Sequence, residues 1–123
     1  MVKAIRIHEH GGPEKLIWED VDVGAPGAGE IRVKHRAVGL NYIDTYQRSG
    51  LYPLASLPAV MGMEGAGEVV AVGSGVDFFQ EGDRVAYANP MGSYAEERNM
   101  AAERAVKLTD GIAYETAAAM MLK

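Results

Sequence analysis

The sequence predicts a mainly β (α+β) fold, a small irregular β-barrel with short helices. Three observations carry this. Short runs of alternating or β-branched residues recur along the whole chain. Gly-, Pro- and Asn/Asp-rich turn chemistry separates them. Only two segments read as helical, so the strand–helix alternation of a parallel sheet is missing.

In order, Val2, Ala4, Ile5 and Ile7 make a first strand, closed by Gly11-Gly12-Pro13. Leu16 to Val23 makes a second, anchored by Trp18, Val21 and Val23, before a turn-rich break at 24–29. Glu30 to Leu40 alternates, with Ile31, Val33 and His35 on one face and Arg32, Lys34 and Arg36 on the other. Segment 41–48 has no period of two and reads as a short helix or 3₁₀ turn. Leu51 to Pro58 carries two prolines and reads as loop. Glu64 to Val72 is a long strand, Gly-rich at its start and Val-rich at its end. Gly73-Ser74-Gly75 is a tight turn, Gly82 to Tyr87 a turn and strand, and Gly92 to Asn99 another strand. Ala105 to Leu108 is a short apolar segment. Thr109-Asp110-Gly111 offers capping side chains before a helix from Ile112 onward.

That last helix is apolar all round from Ala117 to Leu122, the character of a helix buried on every side. It stops at Lys123 with neither a Gly cap nor a Pro. The expectation is a truncated C-terminal helix whose packing partner lies outside the chain. The alternative is a helix that covers the barrel's own open end.

The chain has 123 residues, enough for one domain with a modest core. Its 48% hydrophobic and 24% charged residues are an ordinary globular balance. A net charge of −5 argues against nucleic-acid and anionic-membrane partners, which reward clustered Lys and Arg. No apolar stretch is long enough to span a bilayer, and the N-terminus has no signal-peptide core. The expected location is cytoplasmic. There is no cysteine, which removes disulfides, thiolate nucleophiles and thiolate-rich zinc sites. His8 and His10 share a strand face but lack further ligands nearby, so a solvated strand end is expected there.

The densest chemistry lies between Gly39 and Pro53. It packs the amide of Asn41, the phenols of Tyr42, Tyr46 and Tyr52, the Asp44 carboxylate and the Arg48 guanidinium between two turn signals. A short loop needs none of this to fold.

Seven motifs occur in order: Gly11-Gly12-Pro13-Glu14 with Leu16, Gly39-Leu40-Asn41 with Asp44, Tyr46 to Pro53, Gly62-Met63-Glu64-Gly65-Ala66-Gly67, Gly73-Ser74-Gly75-Val76, Gly82-Asp83-Arg84-Val85, and Gly92-Ser93-Tyr94-Ala95-Glu96. Each is weak alone. Their order and spacing, over essentially all 123 residues, resemble the zinc-free quinone reductase (zeta-crystallin-like) branch of the medium-chain dehydrogenase/reductase superfamily. The resemblance implies a GroES-like catalytic domain over residues 1–123 and NADPH as hydride donor. It places the Rossmann NADPH-binding domain outside this chain. Gly65-Ala66-Gly67 runs on as a strand and opens no helix, so it fails as a dinucleotide fingerprint.

Zinc alcohol dehydrogenases of the superfamily carry Cys where Asn41 stands and His where Met63 stands. An amide and a thioether do not replace those ligands, so no zinc is expected. Without that Lewis acid, acceptors that take hydride readily fit best: a quinone or an α,β-unsaturated carbonyl. The resemblance implies that Asn41 and Tyr52 orient the acceptor's carbonyl oxygen, and that Tyr42, Ile43, Asp44, Thr45 and Tyr46 lie along the nicotinamide. Other readings remain open. Tyr42 and Ile43 serve equally well as core residues, Asp44 as a helix cap or a partner of Arg48, and Tyr52 as a loop anchor. Met63 reads as a wall residue, Glu64 as buried or bridging. Two rival functions also stand. One is an enoyl-thioester reductase with Tyr52 as proton donor. The other is a non-enzymatic GroES-like binding module. The resemblance implies a homodimer for the full-length protein, and an inert fragment if this chain is isolated.

Overall fold

The computed structural model describes residues 2–51, 54, 56–88, 91–109 and 111–120. Its strands form two antiparallel sheets. The smaller has the order β2 (Ile17–Val21), β1 (Val2–Ile7), β4 (Ala59–Val60). The larger runs β7 (Glu97–Ala101), β3 (Glu30–Gly39), β5 (Glu64–Val72), β6 (Arg84–Ala88), β8 (Val106–Lys107). The sheets meet at a bridge between Ala4 and Ala95, flanked by Ile5 N–H to the Tyr94 carbonyl at 2.7 Å and Glu96 N–H to the Lys3 carbonyl at 2.9 Å. The mainly β GroES-like architecture is as expected, but the barrel is not closed.

The alternation of β3 places Ile31 and Val33 in the core, where they pack with Val69, Phe79, Val85, Tyr87 and Met100. Register explains the choice: Val33 faces Val69 across β5, and Ile31 faces Met100 across β7. Each such side chain contributes about 1.5–3 kcal/mol by leaving water.

Strand β5 spans the residues its Gly-then-Val pattern predicts. The glycines allow close approach: a Cβ on Gly67 would lie 2.2 Å from the Lys34 carbonyl oxygen. Two segments differ from the sequence expectation. Residues 92–96 leave the predicted strand, so β7 starts at Glu97. The backbone N–H groups of Gly92, Ser93 and Tyr94 turn instead to the carbonyls of Gly62, Gly62 and Met61. Strand β4 is two residues long, below what a periodicity resolves.

The last helix, α2 (Tyr114–Met120), packs Ala117 and Ala118 against Ala66 and Ala86 of the large sheet. Ala117 and Ala118 therefore have packing partners within this chain. Four small side chains let helix and sheet approach closely. Among the described residues, no helix is long and apolar enough to cross a membrane.

Candidate functional site

Helix α1 (Tyr42–Ser49) follows directly from the end of β3. Asn41 is its N-cap, with extended φ of −134°, and Gly50 ends it in the left-handed region at φ 94°. Asn41 and Asp44 form a capping box, in which the Asn41 backbone N–H donates to Asp44 Oδ2 at 3.1 Å. The sequence's short polar helix is thus confirmed, together with the capping reading of Asp44. Arg48 does not pair with Asp44; its Nε donates to the Gly11 carbonyl at 3.3 Å.

The helix sorts the predicted site residues by face. Tyr42 is 83% exposed, Tyr46 and Thr45 are exposed, Ile43 is half-buried, and Asp44 is 6% exposed. Thr45 Oγ1 donates to the Tyr42 carbonyl at 2.7 Å, which orders the outer turn. Asn41 is half-buried, and its Nδ2 donates to Glu64 Oε1 at 2.9 Å. Glu64 is fully buried at the start of β5, as the bridging reading expects. A carboxylate accepts only, so the amide nitrogen must face it. Gly39 makes this possible: a Cβ there would lie 2.4 Å from Glu64 Oε1 and 2.6 Å from the Ala118 carbonyl oxygen. Met63 is buried and accepts a weak hydrogen bond from Gln47 Nε2 at 3.6 Å. Tyr52 lies outside the described residues.

Asp44 has a second donor that sequence reasoning missed. Tyr94 Oη donates to the same Oδ2 at 2.5 Å. Burial, then the hydrogen bond to Asp44 and its charge, push the Tyr94 phenol well above its ordinary pKa, against a weaker pull from Arg48. The other oxygen, Asp44 Oδ1, is buried with no hydrogen-bond partner among the described residues. The only sequence signal for this contact was a phenol inside the Gly92–Glu96 motif.

Three cavities adjoin this cluster. One of about 320 Å³ is bordered by Leu40, Asn41, Tyr42 and Thr45. One of about 210 Å³ is walled by Leu16, Asp44, Arg48, Met61 and Tyr94, among others. One of about 370 Å³ lies between Ile5, Trp18, Val38, Ser93 and Tyr94. Leu40, 78% exposed, borders all three, and sequence reasoning assigned it no role.

A second buried polar cluster spans the large sheet. His35 Nδ1–H donates to the Ala95 carbonyl at 2.7 Å, which fixes the tautomer. Its Nε2 then accepts the Tyr87 hydroxyl at 2.6 Å, and that oxygen accepts Arg98 Nη1 at 3.5 Å. Burial, chiefly, lowers the His35 pKa to about 4. His8 and His10 do not converge: His8 Nε2 meets Glu19 Oε1 at 2.6 Å, and His10 Nε2 accepts the Leu54 N–H at 3.2 Å. Among the described residues, no three His, Cys, Asp or Glu are grouped to hold a metal ion.

Comparison with known proteins gives the geometry a context. Residues 27–118 match the alcohol dehydrogenase GroES-like domain. The chain is 56% identical, over 100% of its length, to a quinone oxidoreductase of Pseudomonas aeruginosa, of which it covers 38%. It is 44% identical, over 88% of its length, to a 2-haloacrylate reductase of a Burkholderia species, covering 34% of that protein. Among solved structures, the Escherichia coli quinone oxidoreductase complexed with NADPH superposes with a TM-score of 0.94 at 46% identity, over 98% of this chain and 37% of that one. The chain thus spans well under half the length of the relatives it matches. By sequence and by fold, it belongs to the alcohol dehydrogenase GroES-like domain family.

Proposed function

We propose that residues 1–123 are the catalytic domain of an NADPH-dependent quinone reductase whose dinucleotide is held mainly on a separate Rossmann domain. The acceptor is a quinone or an activated α,β-unsaturated carbonyl. The observation that carries this reading is the hydrogen bond from the Asn41 amide to buried Glu64, at 2.9 Å. Asn41, Met63 and Glu64 offer an amide, a thioether and a carboxylate, a donor set that does not fit Zn²⁺. No step is therefore routed through a metal.

The outer face of α1 fits a flat, polar-edged ring, with exposed Tyr42, Thr45 and Tyr46 beside the 320 Å³ cavity. NADPH, when bound, supplies the hydride. In this reading Tyr42, Thr45 and Tyr46 form the wall along the nicotinamide, and Ile43 and Asp44 hold that wall from beneath. Asn41 has a second Nδ2 hydrogen beyond the one given to Glu64. With the Tyr52 hydroxyl, it orients the acceptor's carbonyl oxygen and stabilises charge developing there. A reduced quinone takes its proton from water, so no committed acid is required.

The similarity to a 2-haloacrylate reductase favours keeping activated alkenes within the acceptor class. It also keeps a second reading alive, an enoyl-thioester reductase in which Tyr52 donates the proton. We place the intact protein in the cytoplasm as a homodimer, and the chain's net charge of −5 speaks against nucleic-acid and anionic-membrane partners. NADPH consumption with a simple benzoquinone tests the proposal. The intact two-domain protein is expected to turn over, and the 123-residue chain to stay at the no-protein rate. Turnover by the chain alone overturns the two-domain reading. An inactive intact protein that sediments as a multi-subunit ring favours a GroES-like binding module.

A further inference from the structure

Tyr94 joins three parts of the molecule. Its backbone N–H donates to the Met61 carbonyl at 2.8 Å, and its carbonyl accepts the Ile5 N–H at 2.7 Å. Its ring packs on Gly62, which has φ 97° and where a Cβ would fall 2.4 Å from Tyr94 Cδ1. Only glycine meets both demands. The phenol thus approaches α1 along one path, and its hydroxyl ends on Asp44 Oδ2.

We infer that Tyr94 is a positioning residue for the acceptor end of the site, acting on Asn41 through the Asp44 carboxylate. The inference rests on the reductase reading above. Two donors converge on one oxygen: the Tyr94 hydroxyl and the Asn41 backbone N–H. The other carboxylate oxygen is buried with no partner among the described residues. Without the hydroxyl, the buried carboxylate keeps one described donor, and its best remaining course is to rotate or draw in water. Either movement releases the Asn41 backbone and, with it, the direction of the amide that faces the acceptor. Tyr94 itself is not an acid here. Burial and the neighbouring carboxylate both hold the proton on the phenol, so it works as a fixed donor. The ring borders two of the three cavities, so replacement by Phe preserves their walls and deletes the hydroxyl alone.

A double-mutant cycle in the intact two-domain enzyme tests this, with quinone-dependent NADPH oxidation as the readout. Tyr94→Phe is expected to lower kcat about tenfold while the KM for NADPH stays within about twofold. In an Asn41→Ala background it is expected to lower kcat no further. Equal losses in both backgrounds, or a lower Tm with unchanged kcat, overturn the inference and leave Tyr94 a structural residue. Unchanged turnover in Asn41→Ala alone overturns the reading of Asn41, and this inference with it. Should Tyr94→Phe fail to fold, Asp44→Asn keeps the volume, removes the charged acceptor, and is held to the same kcat outcomes in the two backgrounds, without the KM criterion.

Discussion

Two buried polar clusters can be compared directly. In the large sheet, each hydrogen-bonding atom of His35 and Tyr87 has a partner, and the chain of bonds ends on an arginine. At the head of α1, Asp44 Oδ1 is buried with no hydrogen-bond partner among the described residues, and three cavities open around the cluster. A satisfied network fixes one conformation and gains nothing from a ligand. An incompletely satisfied one beside empty space keeps binding capacity in reserve. In the proposed reading, this contrast between the His35–Tyr87 cluster and Asp44 marks the head of α1 as the site.

The largest effect expected from the contrast is on pH dependence. His35 has a pKa of about 4 in the folded state against 6.5 as its reference value. Between these values the unfolded chain binds a proton that the native state refuses. The stabilisation is therefore complete above about pH 6.5 and is lost as pH falls toward 4, by up to about 3 kcal/mol. Urea midpoints measured across this window should fall with acidification, and His35→Gln should flatten the curve. A flat wild-type curve would show that the sheet cluster tolerates charge.

Next comes the steric limit at the head of α1. Gly39→Ala is expected to cost about 2 kcal/mol, because the new methyl meets the Glu64 carboxylate and the Ala118 carbonyl together. Thermal unfolding reads this directly. A neutral result would mean that α2 yields easily. The smallest stability effect belongs to Tyr42→Ala. With Tyr42 83% exposed, its stability should change by less than about 0.5 kcal/mol. In the intact enzyme, the KM for NADPH should nevertheless rise about tenfold. An unchanged KM would take the outer face of α1 out of the cofactor wall.

The parts legible in the sequence are those written in local chemistry. Val33 and Ile31 announce β3 by alternation, and the lack of a period of two over 41–48 announces α1. The Gly-to-Val gradient from Glu64 to Val72 announces β5. What stayed hidden depends on distant segments. Residues 92–96 look like a strand until their N–H groups are seen to serve Met61 and Gly62. The Tyr94–Asp44 contact spans fifty residues of chain and leaves no periodic trace. The alanines of α2 looked unpartnered because Ala66 and Ala86 are too small to read as a docking face.

Gly39 gives the fold a mechanical stop. Its missing side chain leaves just enough clearance for a helix carbonyl on one side and a buried carboxylate on the other. On one side of that clearance, Glu64 holds the Asn41 amide at 2.9 Å. The last described helix and the Asn41–Glu64 pair are thus spaced by a residue with no side chain, and any side chain at position 39 would press on both at once.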